Sequence, residues 1–212
     1  MSKKQYRSYD GFGVDVAEQR TDDLDKKALL HLEGKTSAKL LDLGCGALGF
    51  SKRAASADVS VLAIDRENFL SSMPPQDLPI EFRQGDVRNL ADILSGDTVT
   101  DALMQRCFHY LEFEEGKKLL GYLRRVVSDK LFISVTGIDS NIGEVYFGKG
   151  KSLENRFDFL DSTGKSTFEI NSQICLYTEA EFKELLTETG WQIDEFWVSA
   201  FKNIKAVCSH GR

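Results

Sequence analysis

The sequence predicts an α/β protein with a doubly wound, mostly parallel sheet. Two observations carry this prediction. Short apolar runs typical of buried strands alternate with amphipathic helical patterns. The first run leads directly into glycines at G-x-G-x-x-G spacing, in the stretch LLDLGCGALGFS at 40–51. A glycine loop of this kind marks a strand that turns tightly into a helix and holds a nucleotide-like ligand.

The elements follow in chain order. A first helix is predicted over Thr21–Leu32, with Thr21 as its N-cap. A second clear helix covers Phe113–Val127, because its leucines fall on one face. The five buried strands are predicted at Leu40–Leu43, Val59–Ile64, Ile80–Phe82, Val99–Met104 and Leu131–Val135.

The end of the chain has its own signals. Thr178 and Glu181 form a capping box that begins a last helix, and Gly190 stops it. Two strands follow, at Gln192–Ser199 and Asn203–Cys208. The short connection between them predicts an antiparallel hairpin.

The chain length of 212 residues suits a single domain. We divide it into an N-terminal helical cap or lid segment, 1–36, and a main domain, 37–212. Only an insertion at about 137–176 breaks the alternation of strands and helices. It is polar, contains glycine and is too long for a plain connection, so it is either a lid or binding loop or a decorated loop.

Composition narrows the possible partners. We find no apolar run long enough to cross a membrane and no apolar core of a signal peptide. The four cysteines lie far apart without a C-x-x-C pair, which argues against a metal site and favours the cytoplasm. The net charge of −6 disfavours a long nucleic acid. We therefore expect a small-molecule partner, no metal, and a monomer or homodimer.

The charge beside the glycine loop indicates which ligand it holds. Asp42 stands two residues before Gly44, where a pyrophosphate would meet a carboxylate of its own sign. A cationic ligand fits better. S-adenosylmethionine is such a ligand, since it carries an ammonium and a sulfonium and no phosphate.

Two more acidic residues follow successive strands. Asp65 ends the second strand, where a carboxylate can accept hydrogen bonds from ribose hydroxyls. Asp86 follows the third strand, where it could accept the adenine amino group while Val87 offers its backbone N–H. The alternative is that both acids are turn or cap residues.

The stretches DLGCGALG, AIDREN, QGDV and YTEAEFKELLTETGW resemble the class I S-adenosylmethionine-dependent methyltransferases of the small-molecule type, over about residues 38–208. The resemblance implies a Rossmann-like sheet of seven strands in the order 3-2-1-4-5-7-6, with strand 7 antiparallel. It also implies the cofactor S-adenosylmethionine. The cofactor-binding residues would be Asp42, Gly44, Cys45, Gly46, Gly49, Asp65, Arg66, Asp86, Val87, Gln105 and Arg20.

The segment MQRCFHYLEF, 104–113, follows the fourth strand and would face the transferable methyl group. Methyl transfer is an in-line displacement, so alignment does most of the work and a base is needed only for a protonated acceptor. His109 could be that base. The alternative is that His109 packs or caps the next helix.

Two segments could cover the pocket: residues 1–20 and the insertion. We expect them to form a lid that is mobile when empty, because they have few apolar residues to bury. The alternative is a static loop packed on the sheet edge. The candidate substrate residues are Tyr9, Arg106, Tyr110, Tyr146 and Arg156, with ordinary exposed loop charge as the alternative for the charged ones. Arg20 either pairs with the cofactor carboxylate or lies on a solvated helix face.

One further pattern carries no function. Gly164-Lys165-Ser166 matches the end of a phosphate-binding loop, but Phe159 stands where that motif needs its earlier glycine. We expect a solvated turn there. The leading function is a small-molecule methyltransferase; an RNA or protein methyltransferase and a non-catalytic cofactor-binding module remain open.

Overall fold

The computed structural model describes residues 7–8, 12, 14–15, 21–35, 37–74 and 77–211. Within this part of the chain one sheet contains seven strands. They are β1 Lys39–Leu43, β2 Ser60–Asp65, β3 Ile80–Gln84, β4 Asp101–Gln105, β5 Lys130–Thr136, β6 Trp191–Val198 and β7 Asn203–His210. A separate two-stranded ladder pairs Arg7–Ser8 with Val14–Asp15.

The strand order is β3-β2-β1-β4-β5-β7-β6. The first five strands are parallel, and β7 runs antiparallel to both of its neighbours. This order confirms the predicted 3-2-1-4-5-7-6 sheet. The order in which successive strands are added changes sides between β1 and β4. A doubly wound sheet binds its ligand at that point, beyond the carboxyl ends of the strands.

Seven α-helices accompany the sheet in the described residues. They are α1 Asp23–Leu32, α2 Gly49–Ala55, α3 Leu90–Leu94, α4 Phe113–Val126, α5 Asn141–Glu144, α6 Ser162–Phe168 and α7 Glu179–Glu188. The long helices sit close to their predicted positions. Thr178 and Glu181 form the predicted capping box of α7, and Gly190 follows its end with φ of +86°.

The core lies on both faces of the sheet because strand side chains alternate between them. Leu40 and Val61 pack with α1 and α2 on one face. Leu41 and Leu62 pack with α3, α4 and α7 on the other. Both faces are therefore covered, as the near-continuous apolar strands require.

Two local predictions were wrong. Helix α1 is capped by Asp22 rather than Thr21, because Asp22 accepts from the Leu24 amide and Asp25 reaches back to the Asp22 amide. Residues 162–168 are the short helix α6 rather than a turn. Asp161 caps it by accepting from the Gly164 amide at 2.7 Å, which gives that glycine a structural role.

The insertion is a packed cap, and the expectation that it has few apolar residues to bury was wrong. It has a hydrophobic cluster of its own, formed by Ile138, Tyr146, Leu160, Ile170, Ile174 and Leu176. Backbone bridges also cross it, between Tyr146 and Leu160 and between Asp158 and Ile174. The apolar residues escaped detection because they are spread singly through a polar sequence, without the period of a helix or strand.

Among the described residues, no helix combines the length and the apolar character that a bilayer crossing requires.

Candidate active site

A cavity of about 750 Å³ opens beyond the carboxyl ends of the parallel strands. Its volume falls within the roughly 300–1,000 Å³ range of small-molecule sites. The ends of β1, β2, β3 and β4 line one side of it, and the insertion and the turn between β6 and β7 line the other. The cavity therefore lies where the strand order predicts a ligand.

The glycine loop forms the floor of the cavity. Gly44 and Cys45 donate their amides to the Ile64 carbonyl of β2, at 2.9 and 3.2 Å, which holds the loop against the neighbouring strand. Gly44 has a φ of +70°, and a β-carbon there would lie 2.6 Å from the Cys107 side chain. Both the backbone angle and the packing demand glycine at this position.

Asp65 connects the end of β2 to the glycine loop. One of its oxygens accepts from the Gly46 amide at 2.9 Å and the other from the Glu67 amide at 3.0 Å. A carboxylate has about four lone-pair sites, so two remain for a ligand. Burial raises the pKa of Asp65, and the two amide hydrogen bonds oppose that rise.

Asp86 lines the cavity beside Val87, at the end of β3. Arg88 grips its carboxylate, with Nε at 2.9 Å from one oxygen and a terminal nitrogen at 2.6 Å from the other. These hydrogen bonds lower the pKa of Asp86, although its partial burial opposes them. Arg88 thus fixes the orientation of Asp86, a pair that no sequence pattern indicated.

Asp42 is buried on the cavity wall, with 3% of its surface exposed. The Ser51 hydroxyl donates to it at 2.6 Å from the first turns of α2. Together, Asp42, Asp65 and Asp86 bring three carboxylates from three strand ends to one cavity.

The end of β4 also lines the cavity. Gln105, Arg106 and Cys107 line it, and Arg106 has a φ of +53°. Its amide is held by Ser134, at 3.2 Å from the carbonyl and 3.0 Å from the hydroxyl. Burial raises the pKa of the Cys45 and Cys107 thiols, which favours their neutral form.

His109 also lines the cavity, in a 3-10 turn at Phe108–Tyr110. Only 4% of its surface is exposed. Burial, with the nearby Arg106 charge, lowers the pKa of His109 to about 3. The imidazole is therefore neutral throughout the physiological range.

Three aromatic rings and one guanidinium contact one another in sequence along the cavity wall, from the end of β2 to His109. The Arg66 guanidinium lies 3.8 Å from the centre of the Phe12 ring. The Phe12 ring meets Tyr110 edge to face at 5.1 Å, and Tyr110 lies 4.4 Å from His109. The Tyr110 hydroxyl donates to the Phe12 carbonyl at 2.8 Å. This row, Arg66–Phe12–Tyr110–His109, joins the amino-terminal segment to the site.

The structure places most predicted site residues on this one cavity. The predicted residues that line it are Asp42, Gly44, Cys45, Gly46, Asp65, Arg66, Asp86, Val87, Gln105, Arg106, His109 and Tyr110. Gly49 lies just outside it as the first residue of α2. Tyr9 and Arg20 lie outside the described residues.

Tyr146 and Arg156, which we expected in a substrate site, do not line this cavity and lie inside the cap instead. The Tyr146 hydroxyl donates to the carbonyls of Arg156 and Ile174 inside the cap. Arg156 is 6% exposed and pairs with both Glu181 oxygens, at 2.6 and 2.7 Å. A buried arginine needs such partners, so the charge in the insertion stabilises the cap.

The sequence did not indicate the residues of the opposite wall. The insertion contributes Asp139, Ile142, Phe168 and Ile170, and the β6–β7 turn contributes the range 200–203. That turn reaches the cavity because β7 is antiparallel: its first residue, Asn203, pairs with Thr136 at the carboxyl end of β5. The predicted strand order, with strand 7 antiparallel, implies this position for the turn.

Away from the cavity, His31, Asp101 and Asp129 bring three potential metal ligands together. The Lys35 ammonium lies 2.6 Å from both His31 Nε2 and the Asp129 carboxylate. The lysine thus supplies a positive charge among these acids, and they are part of an ion-pair network at the amino ends of β4 and β5.

Solved structures with a similar fold include several S-adenosylmethionine-dependent methyltransferases. The 1,6-didemethyltoxoflavin-N1-methyltransferase of Burkholderia thailandensis, with bound 1,6-didemethyltoxoflavin and S-adenosylhomocysteine, is 16% identical at a TM-score of 0.66, covering 93% of this chain and 79% of that one. A methyltransferase of Methanosarcina mazei is 19% identical at a TM-score of 0.66, and the match covers 86% of this chain and 96% of that one. Magnesium protoporphyrin IX methyltransferase of Synechocystis PCC 6803, with bound S-adenosylhomocysteine, is 13% identical at a TM-score of 0.61. The match covers 88% of this chain and 82% of that one.

No protein-family model and no curated protein sequence matches the chain. Identities of 13–19% show a shared fold. The chain therefore shares the fold of these structures, a doubly wound sheet of seven strands.

Proposed function

We propose that the protein is an S-adenosylmethionine-dependent methyltransferase that acts on a small molecule by direct in-line transfer. The observation that carries this proposal is the meeting of Asp42, Asp65 and Asp86 around one glycine loop, in a cavity of this fold. Three carboxylates suit a cofactor that carries positive charge and no phosphate. A dinucleotide pyrophosphate would be repelled by Asp42 and would find no long helix amino terminus, since α2 has only seven residues.

The residues of the cavity fit such a cofactor. Asp65 keeps two lone-pair sites for ribose hydroxyls after its two amide bonds. Asp86 has one oxygen that Arg88 contacts once, which leaves room for an amino group. Asp42 is the candidate for the ammonium, and Gly44 and Gly46 let the backbone approach the methionine part closely.

The cofactor would supply the methyl group on a sulfonium, and the protein would supply alignment and exclusion of water. We call the part of the cavity that the strand ends line the cofactor half, and the part that the insertion and the β6–β7 turn line the acceptor half. Gln105, Arg106 and His109, from the end of β4 and the turn after it, also line the cavity. The Arg66–Phe12–Tyr110–His109 row packs along the cofactor half.

The acceptor half favours a small molecule that carries both apolar surface and polar groups. Ile142, Phe168 and Ile170 come from the cap, and Phe201 of the β6–β7 turn is 72% exposed. Polar and charged residues line the same part of the cavity, namely Thr136, Asp139, Ser140, Asn141, Thr167, Lys202 and Asn203. Apolar side chains with polar groups that fix orientation are typical of pockets that take small organic molecules.

Calorimetry and methyl incorporation test this proposal. We expect S-adenosylmethionine and S-adenosylhomocysteine to bind at micromolar levels and NAD not to bind. Incubation with methyl-labelled S-adenosylmethionine and a small-molecule cell extract should then yield a product heavier by one methyl group in mass spectrometry. Tight NAD binding without a response to either sulfur ligand would overturn the assignment. Binding without transfer to any extract would indicate a non-catalytic module.

A further inference from the structure

His109 has an unusual combination of burial and missing contacts. It lines the cavity with 4% of its surface exposed. Its Nδ1 is sealed from solvent and makes no hydrogen bond with any described residue. Its neighbours are the Tyr110 ring at 4.4 Å and the Cys175 amide, which donates to the His109 carbonyl at 2.8 Å. A buried ring nitrogen without a partner calls for an explanation.

The missing contact indicates where the proton of the neutral ring resides. A buried N–H without an acceptor is rarer than a buried acceptor with an unused lone pair. The sealed Nδ1 is therefore the unprotonated nitrogen, and the proton is on Nε2. Because Nδ1 is closed off, the edge with Nε2 is the one that a ligand in the cavity can reach.

We propose that His109 is a positioning residue that holds the acceptor molecule through a neutral Nε2–H donor, and that it is not a general base. This inference rests on the proposed methyltransferase function. A base must turn a lone pair toward the acceptor, whereas the only lone pair of this ring lies on the sealed Nδ1. The ring instead offers a donor to a lone pair of the acceptor molecule.

The proposal defines a substrate class. The acceptor presents a carbonyl oxygen, a carboxylate or an unprotonated ring nitrogen to His109, next to the atom that is methylated. The surrounding groups keep the ring neutral. Burial and the Arg106 charge lower the pKa of His109 to about 3, and burial raises the pKa of Tyr110 and, to about 11, that of Cys175.

Nitrogen-15 NMR tests the protonation state directly. The chain has three histidines, so labelled histidine gives few signals, and the loss of one set in H109Q assigns His109. We expect the Nε2–H tautomer and no titration of His109 between pH 5 and 8, with and without S-adenosylhomocysteine. An Nδ1–H tautomer, or a titration near the ordinary pKa of about 6.5, would overturn the proposal.

Two amide variants of His109 distinguish a hydrogen-bond donor from a general base. The glutamine amide of H109Q reaches the place of Nε2, whereas the asparagine amide of H109N reaches only that of Nδ1. With methyl-labelled S-adenosylmethionine and an active extract, we expect H109Q to keep most of the transfer rate and H109N to lose about tenfold or more. Neither amide can accept a proton, so equal and near-complete losses would indicate a base.

Measuring S-adenosylhomocysteine binding distinguishes a failure of the His109 proposal from a failure of the proposed function. Both variants should bind it as the wild type does, and their thermal midpoints should match one another. Failure of the wild-type protein to bind it would refute the proposed function and leave the NMR result unaffected. Where no extract supports transfer, the NMR result alone decides the role of His109.

Discussion

At the scale of single residues, Asp65 joins structure to function. Its carboxylate holds the Gly46 amide of the glycine loop and the Glu67 amide beyond β2. The same group is the candidate for binding ribose. Under the proposed function one side chain would both shape the loop and contact the ligand, so its loss should affect binding twice.

We expect Asp65→Ala to weaken S-adenosylhomocysteine binding by at least about tenfold, or 1.4 kcal/mol. The reason is the loss of hydrogen bonds to an ionised group, each of which contributes about 1.5–3 kcal/mol. Isothermal titration calorimetry measures the effect. Asp92→Ala, an exposed acid on α3, is the matched control. An affinity for Asp65→Ala within about twofold of wild type would show that Asp65 does not hold the cofactor.

Gly44 and Gly34 offer a second comparison at this scale. Their φ angles are similar, +70° and +75°, but a β-carbon on Gly44 would lie 2.6 Å from Cys107, while nothing lies within 4 Å of one on Gly34. Gly34→Ala should destabilise by about 1–2 kcal/mol through backbone strain alone. Gly44→Ala should add about 1–3 kcal/mol of overpacking and abolish cofactor binding. Urea unfolding measures the stability of the two variants, and calorimetry measures their cofactor binding. Equal free energies of unfolding for Gly34→Ala and Gly44→Ala would contradict the packing argument.

At the scale of elements, the cap is attached to the core by Arg156. This guanidinium donates to the Lys151 and Leu176 carbonyls and to both oxygens of Glu181 on α7. Burial tends to raise the pKa of Glu181, but hydrogen bonds from Arg156 and Thr178 outweigh it and lower that pKa. The pair therefore stabilises the folded state while Glu181 is ionised.

We expect Arg156→Ala to lower the free energy of unfolding by about 2–3 kcal/mol at pH 7, because Glu181 and two carbonyls lose their partner. A lowered folded-state pKa gives stability that is present above the ordinary value of 4.5 and lost as the pH falls through the folded value. The difference between wild type and variant should accordingly shrink below about pH 4.5.

Urea unfolding at several pH values measures this difference, with exposed Arg125→Ala as the control. S-adenosylhomocysteine affinity should change little in Arg156→Ala, since Arg156 does not line the cavity. A large loss of affinity without loss of stability would instead restore Arg156 as a substrate residue.

At the scale of the whole molecule, the sequence predicted the sheet and the cofactor half of the cavity. Strong local signals made this possible: the glycine loop at 44–49, the acids at the ends of β1, β2 and β3, and the capping box of α7. The acceptor half depends on contacts between distant segments. Whether Tyr146 lines the cavity or the cap core depends on carbonyls at 156 and 174, which no local pattern encodes.

Phe12 shows how distant parts of the chain complete the site. Its ring lies between Arg66 and Tyr110, its carbonyl accepts from the Tyr110 hydroxyl, and its backbone bridges to Ile170 of the cap. One residue therefore contacts the strand end beyond β2, the turn after β4 and the insertion. The amino-terminal segment meets the cavity through this residue.

We expect Phe12→Ala to weaken S-adenosylhomocysteine binding by about fivefold to thirtyfold, because the Phe12 ring lines the cavity and the loss of a ring contact with a ligand costs roughly 1–2 kcal/mol. Calorimetry measures this loss. Phe147→Ala removes an equal side chain that is 59% exposed on the cap and does not line the cavity, so its affinity should match wild type. If both variants bind alike, the ring of Phe12 does not help to close the cofactor half. If Phe12→Ala alone binds weakly at an unchanged thermal midpoint, the amino-terminal segment is part of the binding site.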